Sequence, residues 1–456
     1  MIAPLSVTDV AESCHAQVLG PMAAELAISG LAIDSRKVVP GDLFVALPGE
    51  RVDGHDFVAS AFDQGAHAAL VQHPVAAPGA QLLVGDTESA VAAFAARVRS
   101  AYNGVLVGIT GSAGKTTTKN LLASILATAG PVVATEGNQN NELGVPLTLA
   151  KLARDTEFAV LEMGAGKPGD IASLCAFTRP TAAVLLNVAP AHLEHFGSLD
   201  AISDTKGALL DDLPADGFAV INADQPWAND WRARCQPARC IGFGLQEDAD
   251  YRAIKLQPRG FSGTDFVLQT PERELAIHLA VPGMQGVYNA LAAAAVADAL
   301  GIGAEGIVEG LAAVVPAEGR GAVQTLPDGR RLVDDCYNAN PMAVRAALDV
   351  LANESGRRRL VLGAMLELGR ESDQLHREIG AYAAAKDIEE FWVVGPVTAP
   401  AAEAFGPGAE YFESVEQLMT RYPSFQGADI AVIKASRGAR LERIVERWRM
   451  AGEAPC

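Results

Sequence analysis

The residues with the clearest chemistry lie in Thr110-Gly111-Ser112-Ala113-Gly114-Lys115-Thr116-Thr117. Glycines let a backbone curl until successive N–H groups converge on phosphate oxygens. Lys115 adds a full cation, and the Thr116 hydroxyl can ligate Mg2+. The strict eight-residue form of this loop would need glycine at Ile109, so the shorter TGxxGKT form is present. A glycine-rich turn alone would be unremarkable. A buried-type strand before it and a helix after it favour phosphate binding, because the helix N-terminus adds positive potential. Glu162 follows the apolar run Phe158–Leu161. That is the carboxyl end of a strand, where open α/β sheets bind ligands. A carboxylate there suits Mg2+, a hard cation that prefers oxygen. His192 lies past another apolar run, with His195 three residues on. The pair invites zinc, but no further ligands are spaced to complete such a site, so zinc is not expected.

The elements needed to position these groups are legible. Gly104–Thr110 reads as a buried strand, and Lys115 to about Ala129 as a helix. Apolar runs at 158–161, 182–186 and 217–221 alternate with helical stretches, predicting a parallel sheet covered on both faces. Residues from about 240 to 280 alternate in short runs and read as an antiparallel flap. Before this unit, 43–47, 66–72 and 81–84 read as strands, followed by a helix that Asp86-Thr87 could cap. After it, 331–335, 359–363, 390–394 and 429–433 predict a second doubly wound unit. The expected fold class is α/β in three domains: 1–84, a small N-terminal α/β unit; 85–317, a central P-loop parallel-sheet unit; and 318–456, a Rossmann-like unit.

The bulk numbers agree. A chain of 456 residues suggests about three domains. A net charge of −19 argues against a general nucleic-acid binder and against docking on anionic lipid. Anionic ligands must then be held by local devices. The six cysteines have no paired spacing and read as reduced thiols. The N-terminus lacks a basic leader region, and the Ala-rich run Leu291–Leu300 reads as a packed helix rather than a membrane span. A cytoplasmic location without membrane insertion is expected.

Taken together, the motifs resemble the Mur ligase family along nearly the whole chain. The strings that carry this are Asp34-Ser35-Arg36, Gly41 to Phe57, the phosphate loop, Gly137 to Pro146, Glu162 to Ala165 and Asn187 to Lys206. Asp335 to Pro341 (with YNANP), Leu362 to Gly369 (with MLELG) and Lys434 to Gly438 follow in the last unit. The resemblance implies an ATP-dependent amide ligase using Mg2+, with UDP-N-acetylmuramoyl-tripeptide and D-alanyl-D-alanine as substrates, acting as a monomer. It implies that Gly111, Ser112, Ala113, Gly114, Lys115, Thr116 and Thr117 hold the phosphates. Asn289, Arg320, Asp335, Tyr337 and Asn338 would contact the nucleotide. Thr116, Glu162, His192 and Lys206 would serve the metal ions, Lys206 matching a lysine that related members carbamylate. Lys115, Glu162, His192 and Lys206 would form the catalytic set, and Ser35 and Arg36 would meet the UDP substrate. Cys336 and Ala364 depart from the family pattern, where Ser and Asp are common. The competing readings are a sibling amide ligase, tripeptide-forming or folylpolyglutamate-forming, and a P-loop regulatory switch.

Overall fold

The structure is a computed structural model that describes residues 1–21, 26–49, 52–190 and 193–453. Three large sheets and a two-stranded ribbon, Leu5–Ser6 paired antiparallel with Ala27–Ile28, organise these residues. The first, of five strands, runs in the order Gln17–Leu19, Ala80–Leu83, Ala68–Val71, Asp42–Val45, Gly30–Ala32. All its pairings are parallel except that of Gln17–Leu19 with Ala80–Leu83.

The second sheet has nine strands. Val105–Thr110 sits between Phe158–Glu162 and Ala182–Leu185, both parallel to it. Its neighbours thus leave in opposite directions, which opens a crevice at the carboxyl ends. Burial on both faces follows from alternation along the strand. Val107 and Ile109 pack with the helix Lys115–Leu126 and the long helix Gly283–Ala299. Leu106 packs on the other face with Leu161, Ile171 and Leu209. The Ala-rich segment expected as a packed helix forms the last turns of Gly283–Ala299 with Leu300 as the C-cap, and Ala290 to Ala297 are fully buried. Such a helix, apolar all round, belongs in a core. Among the described residues no helix is long and apolar enough to cross a membrane.

The expected antiparallel flap needs correction. Arg239–Gly244 pairs parallel with both Phe218–Asn222 and Tyr251–Pro258. Only Tyr251–Pro258, Thr264–Gln269 and Glu274–Leu279 are antiparallel, and they extend the main sheet rather than standing apart from it. Alternation revealed half-buried strands but not their partners, which are set by tertiary pairing.

The third sheet has six strands, parallel except for the edge strand Ala322–Thr325. The strand Arg331–Asp335 pairs with Ile430–Lys434, which places Asp335 opposite Lys434. The tip of the hairpin between Tyr251–Pro258 and Thr264–Gln269 reaches this region. Phe261 is buried in the same apolar cluster as Val333, Leu348 and Leu360. Its N–H donates to Glu354 Oε1 at 2.7 Å, and Glu354 Oε2 accepts from Arg331 at 2.7 Å. The helix Thr87–Ser100 links the first two sheets. Val91, Phe94 and Val98 complete the first unit's core, while the helix also contacts Gly144–Leu149 and Asp170–Thr178 of the second.

Candidate active site

The phosphate loop is shaped by its neighbours. Gly114 begins the helix Lys115–Leu126 with φ +85°, and a Cβ there would collide with the Asn289 side chain. Only glycine meets both conditions without strain. The segment after Ala182–Leu185 braces the loop from beside it. Asn187 Oδ1 accepts from Ala113 N–H at 2.9 Å, its Nδ2 donates to Ala113 O at 3.0 Å, and Ala189 N–H donates to Ser112 Oγ at 3.0 Å. Lys115 Nζ donates to Gly111 O at 2.8 Å. Burial pushes the Lys115 pKa below its ordinary value, Glu162 opposes that shift, and Arg320 adds to it.

Glu162 stands beside the loop because its strand pairs it with Ile109. It is buried, with 3% of its surface exposed, so its carboxylate must be satisfied. Thr116 Oγ1 donates to Oε2 at 2.7 Å and Asn140 Nδ2 to Oε1 at 2.8 Å. Thr135 Oγ1 accepts from the Glu162 N–H at 3.0 Å, and Thr135 O accepts from Lys119 Nζ at 2.5 Å. The hydroxyl and carboxylate oxygens thus converge from two elements. This all-oxygen set has the chemistry Mg2+ requires.

Lys206 lies on the helix Leu199–Gly207 and is 3% exposed. Its pKa is brought down to about 7, first by burial and then by Lys115, while Asp170 opposes. An amine this far below an ordinary 10.5 is largely uncharged at mildly alkaline pH.

Across from the loop, the third sheet presents Asp335, whose carboxylate accepts from Lys434 Nζ at 2.6 Å. Lys434 Nζ also donates to Asn338 O at 3.1 Å. Burial raises the Asp335 pKa and Lys434 counters it. The Arg320 guanidinium lies 3.9 Å from the Tyr337 ring centre, a cation–π contact at the chain crossing between the second and third sheets.

These groups enclose a cleft of ≈ 550 Å3 between the second and third sheets. Ser112, Ala113, Gly114, Lys115, Thr116 and Thr117 line it together with Glu162 and Asn289. Arg320, Asp335, Tyr337 and Asn338 line it from the other side. Gly111 lies buried at the base of the loop, and Lys206 is buried outside the lining. His192 lies outside the described residues. Ser35 and Arg36 are in the first unit, away from the cleft, in the turn Ser35–Lys37. Ser35 is buried, and Arg36 is exposed and forked onto Asp34 at 2.9 and 2.8 Å. That guanidinium holds the Asp34 carboxyl down at about 2.

Sequence reading gave no task to Asn140, Asn187 or Lys434. Lys434 had a local signal: a charge closing the otherwise apolar strand Ile430–Lys434. A second cluster, Asp53, His55 and His73, brings metal-type ligands together. His55 Nε2 accepts from Gln72 N–H at 2.8 Å, so Nδ1 carries the proton donated to Asp53 at 2.7 Å. Both ring nitrogens are engaged, which makes His55 a structural group.

A mainly parallel sheet with a phosphate loop at its carboxyl edge, faced by a second mainly parallel sheet across one cleft, defines a P-loop nucleotide-binding protein whose site lies between two of its domains. The sequence matches three family descriptions: "Mur ligase family, catalytic domain" over 27–107, "Mur ligase middle domain" over 109–297 and "Mur ligase, glutamate ligase domain" over 319–437. It is 39% identical to the UDP-N-acetylmuramoyl-tripeptide–D-alanyl-D-alanine ligase of Escherichia coli (strain K12), covering 92% of this chain and 94% of that one. It is 32% identical to the enzyme of that name from Bacillus subtilis (strain 168), covering 97% of each. Among solved structures, MurF from Acinetobacter baumannii superposes with a TM-score of 0.88 at 31% identity, covering 98% of each chain. MurF ligase from Thermotoga maritima, in complex with ADP, gives 0.81 at 31% identity, covering 93% of this chain and 98% of that one. The chain belongs to the Mur ligase family.

Proposed function

We propose that this chain is an ATP-dependent amide ligase that adds D-alanyl-D-alanine to UDP-N-acetylmuramoyl-tripeptide. The observation that carries the reading is the Thr116–Glu162–Asn140 chain at the phosphate loop, facing the Asp335–Lys434 pair across one cleft. The likeness to ligases of that name over more than nine-tenths of the chain supports the choice of substrates. Residues 1–84 serve as the UDP-substrate domain, 85–317 as the ATP domain and 318–456 as the closing domain.

A carboxylate is a poor electrophile, because its leaving group would be oxide. Bound ATP with Mg2+ supplies a phosphoryl group to the tripeptide carboxylate, and the resulting acyl phosphate loses phosphate when the acceptor amine attacks its carbonyl carbon and sheds a proton. The chain's own contribution is positioning and charge neutralisation. The loop amides and Lys115 grip the terminal phosphates. Thr116 and Glu162 hold Mg2+, with Asn140 fixing the second carboxylate oxygen. Asn289 and Arg320, with Asp335, Tyr337 and Asn338 from the closing domain, orient the nucleotide, and the cleft walls keep water from the reacting carbonyl. Lys206 is buried and its pKa is lowered to about 7, so its neutral amine would add carbon dioxide at Nζ and lose a proton, giving a carbamate anion that would serve as a carboxylate-like metal ligand. His192 would serve the metal ions, as the family resemblance implies. One chain supplies every group, so a monomer suffices.

The test is phosphate release by the purified chain with ATP, Mg2+ and UDP-muramoyl tripeptide, with and without D-alanyl-D-alanine. Release that depends on the dipeptide is expected. Release that depends instead on glutamate or a single amino acid would assign the chain to a sibling activity. Nucleotide binding without acceptor-dependent turnover would leave only a regulatory switch.

Two variants probe the parts. Glu162→Gln removes a charge from the Mg2+ set and is expected to raise half-saturating Mg2+ about 10–100-fold in the same assay. An unchanged Mg2+ dependence would remove Glu162 from that set. Arg36→Ala is expected to raise the KM for the UDP substrate about tenfold, the scale of one charge-assisted contact, with the KM for ATP unchanged. Equal changes in both constants would contradict a substrate role for the first unit.

A further inference from the structure

We propose that a cavity beside the nucleotide cleft seats the acceptor dipeptide and that Arg345 binds its terminal carboxylate. This rests on the ligase reading above and adds the residue that reads the acceptor. The cavity, ≈ 560 Å3, lies between the helices Pro341–Ala352 and Ser372–Ala385 on one side and the first turn of Gly283–Ala299 on the other. It adjoins the nucleotide cleft, and Gly283, Gln285, Met342, Ala346 and Val350 line both. Pro190 forms part of its wall and directly follows Ala189, whose N–H is bonded to Ser112 of the phosphate loop. An amine entering from this side arrives beside the phosphate end of the cleft.

The lining suits a short peptide with small side chains, and its one cation among the described residues, Arg345, stands beside the carboxylates of Asp349 and Glu378. Met284, a large apolar residue left 36% exposed, lines the cavity with Met342 and Leu375. Arg345 supplies the cation. Its guanidinium lies 4.7 Å from the Tyr382 ring centre, and the Tyr382 hydroxyl is anchored on Asp349 Oδ1 at 2.6 Å. One N–H of Arg345 donates to Glu378 Oε2 at 3.2 Å. A guanidinium has five N–H donors, so most of the fork remains available. Both partners of that pair are more than a third exposed, so it holds the side chain only weakly against a ligand. Arg345 lies one helical turn, about 5 Å, beyond Met342, which faces both spaces. An extended dipeptide spans about 7 Å, short enough to lie wholly within this cavity.

The experiment measures steady-state phosphate release by the full chain with D-alanyl-D-alanine and with its C-terminal amide, which has the same shape but no carboxylate. The wild type is expected to favour the acid over the amide in kcat/KM by about 30-fold or more. Arg345→Ala is expected to raise the acceptor KM to a similar extent, to use acid and amide alike and to keep the KM for ATP and for the UDP substrate within about twofold of wild type. Arg345→Lys is expected to restore part of the preference. A wild type indifferent to the carboxylate would overturn the proposal without needing any variant, as would an Arg345→Ala enzyme that still preferred the acid. Absence of turnover by the wild type with any acceptor would instead overturn the ligase reading itself.

Discussion

Lys115→Ala yields a folded protein whose acceptor-dependent ADP release is lower by about a thousandfold, the upper range for removing one preorganised group that meets developing charge. The size of the effect follows from the surroundings of Lys115. Its pKa is pushed down by burial and by Arg320, with Glu162 in opposition. A cation in so little water acts on a phosphate far more strongly than one in solvent. The fold is expected to survive, because the bonds from Asn187 and Ala189 still brace the loop when the lysine's bond to Gly111 O is lost. Circular dichroism matching wild type with the activity lost is the expected pair of results. Substantial residual ligation by the variant would remove Lys115 from the phosphate-gripping role.

Lys206→Met is expected to abolish turnover while raising the stability of the central domain. Lys206 is 3% exposed with a pKa of about 7, against an ordinary 10.5. Burying it near neutral pH therefore costs up to about 4 kcal/mol of discharging work, which an apolar side chain of similar length avoids. The sign of the pH dependence follows from linkage. Between about pH 7 and 10.5 the unfolded chain holds this proton and the folded chain does not. Wild-type stability therefore rises with pH across that window. The advantage of the methionine variant should be greatest below pH 7 and shrink steadily above it. Denaturant melts in carbon dioxide-free buffer at pH 6.5 and 9 measure this directly. A variant less stable than wild type at pH 6.5, or a gap independent of pH, would show that the lysine is not held uncharged. A variant that kept its turnover would show that Lys206 has no catalytic part.

What could be read from the sequence is what depends on neighbours along the chain. The strand Val105–Thr110, the glycines after it and the helix Lys115–Leu126 form one continuous local pattern, so the phosphate loop was apparent. Glu162 was apparent because a carboxylate ending a buried strand is costly without a partner. Asn140 was not, because its task exists only once its loop lies against the strand Phe158–Glu162, 22 residues further on. Lys434 meets Asp335 across 99 residues of sequence, a register that only the assembled sheet creates. The same limit explains Arg239–Gly244, whose alternation looked like a flap although its hydrogen bonds are parallel. The Arg345 side chain falls into this class too: its setting is made by Tyr382 and Glu378 on a different helix.

The ring of Phe261 constrains how this enzyme can exchange its nucleotide. It projects from a turn flanked by Gly260 and Gly263, both at positive φ, into the apolar interior of the neighbouring domain. Drawing it out would expose an aromatic side chain at about 2–3 kcal/mol, before counting the contact with Glu354. A rotation that leaves the ring seated avoids that penalty. Any opening of the crevice that avoided this penalty would have to pivot at the hairpin tip, leaving the ring seated and the two domains in register at that corner.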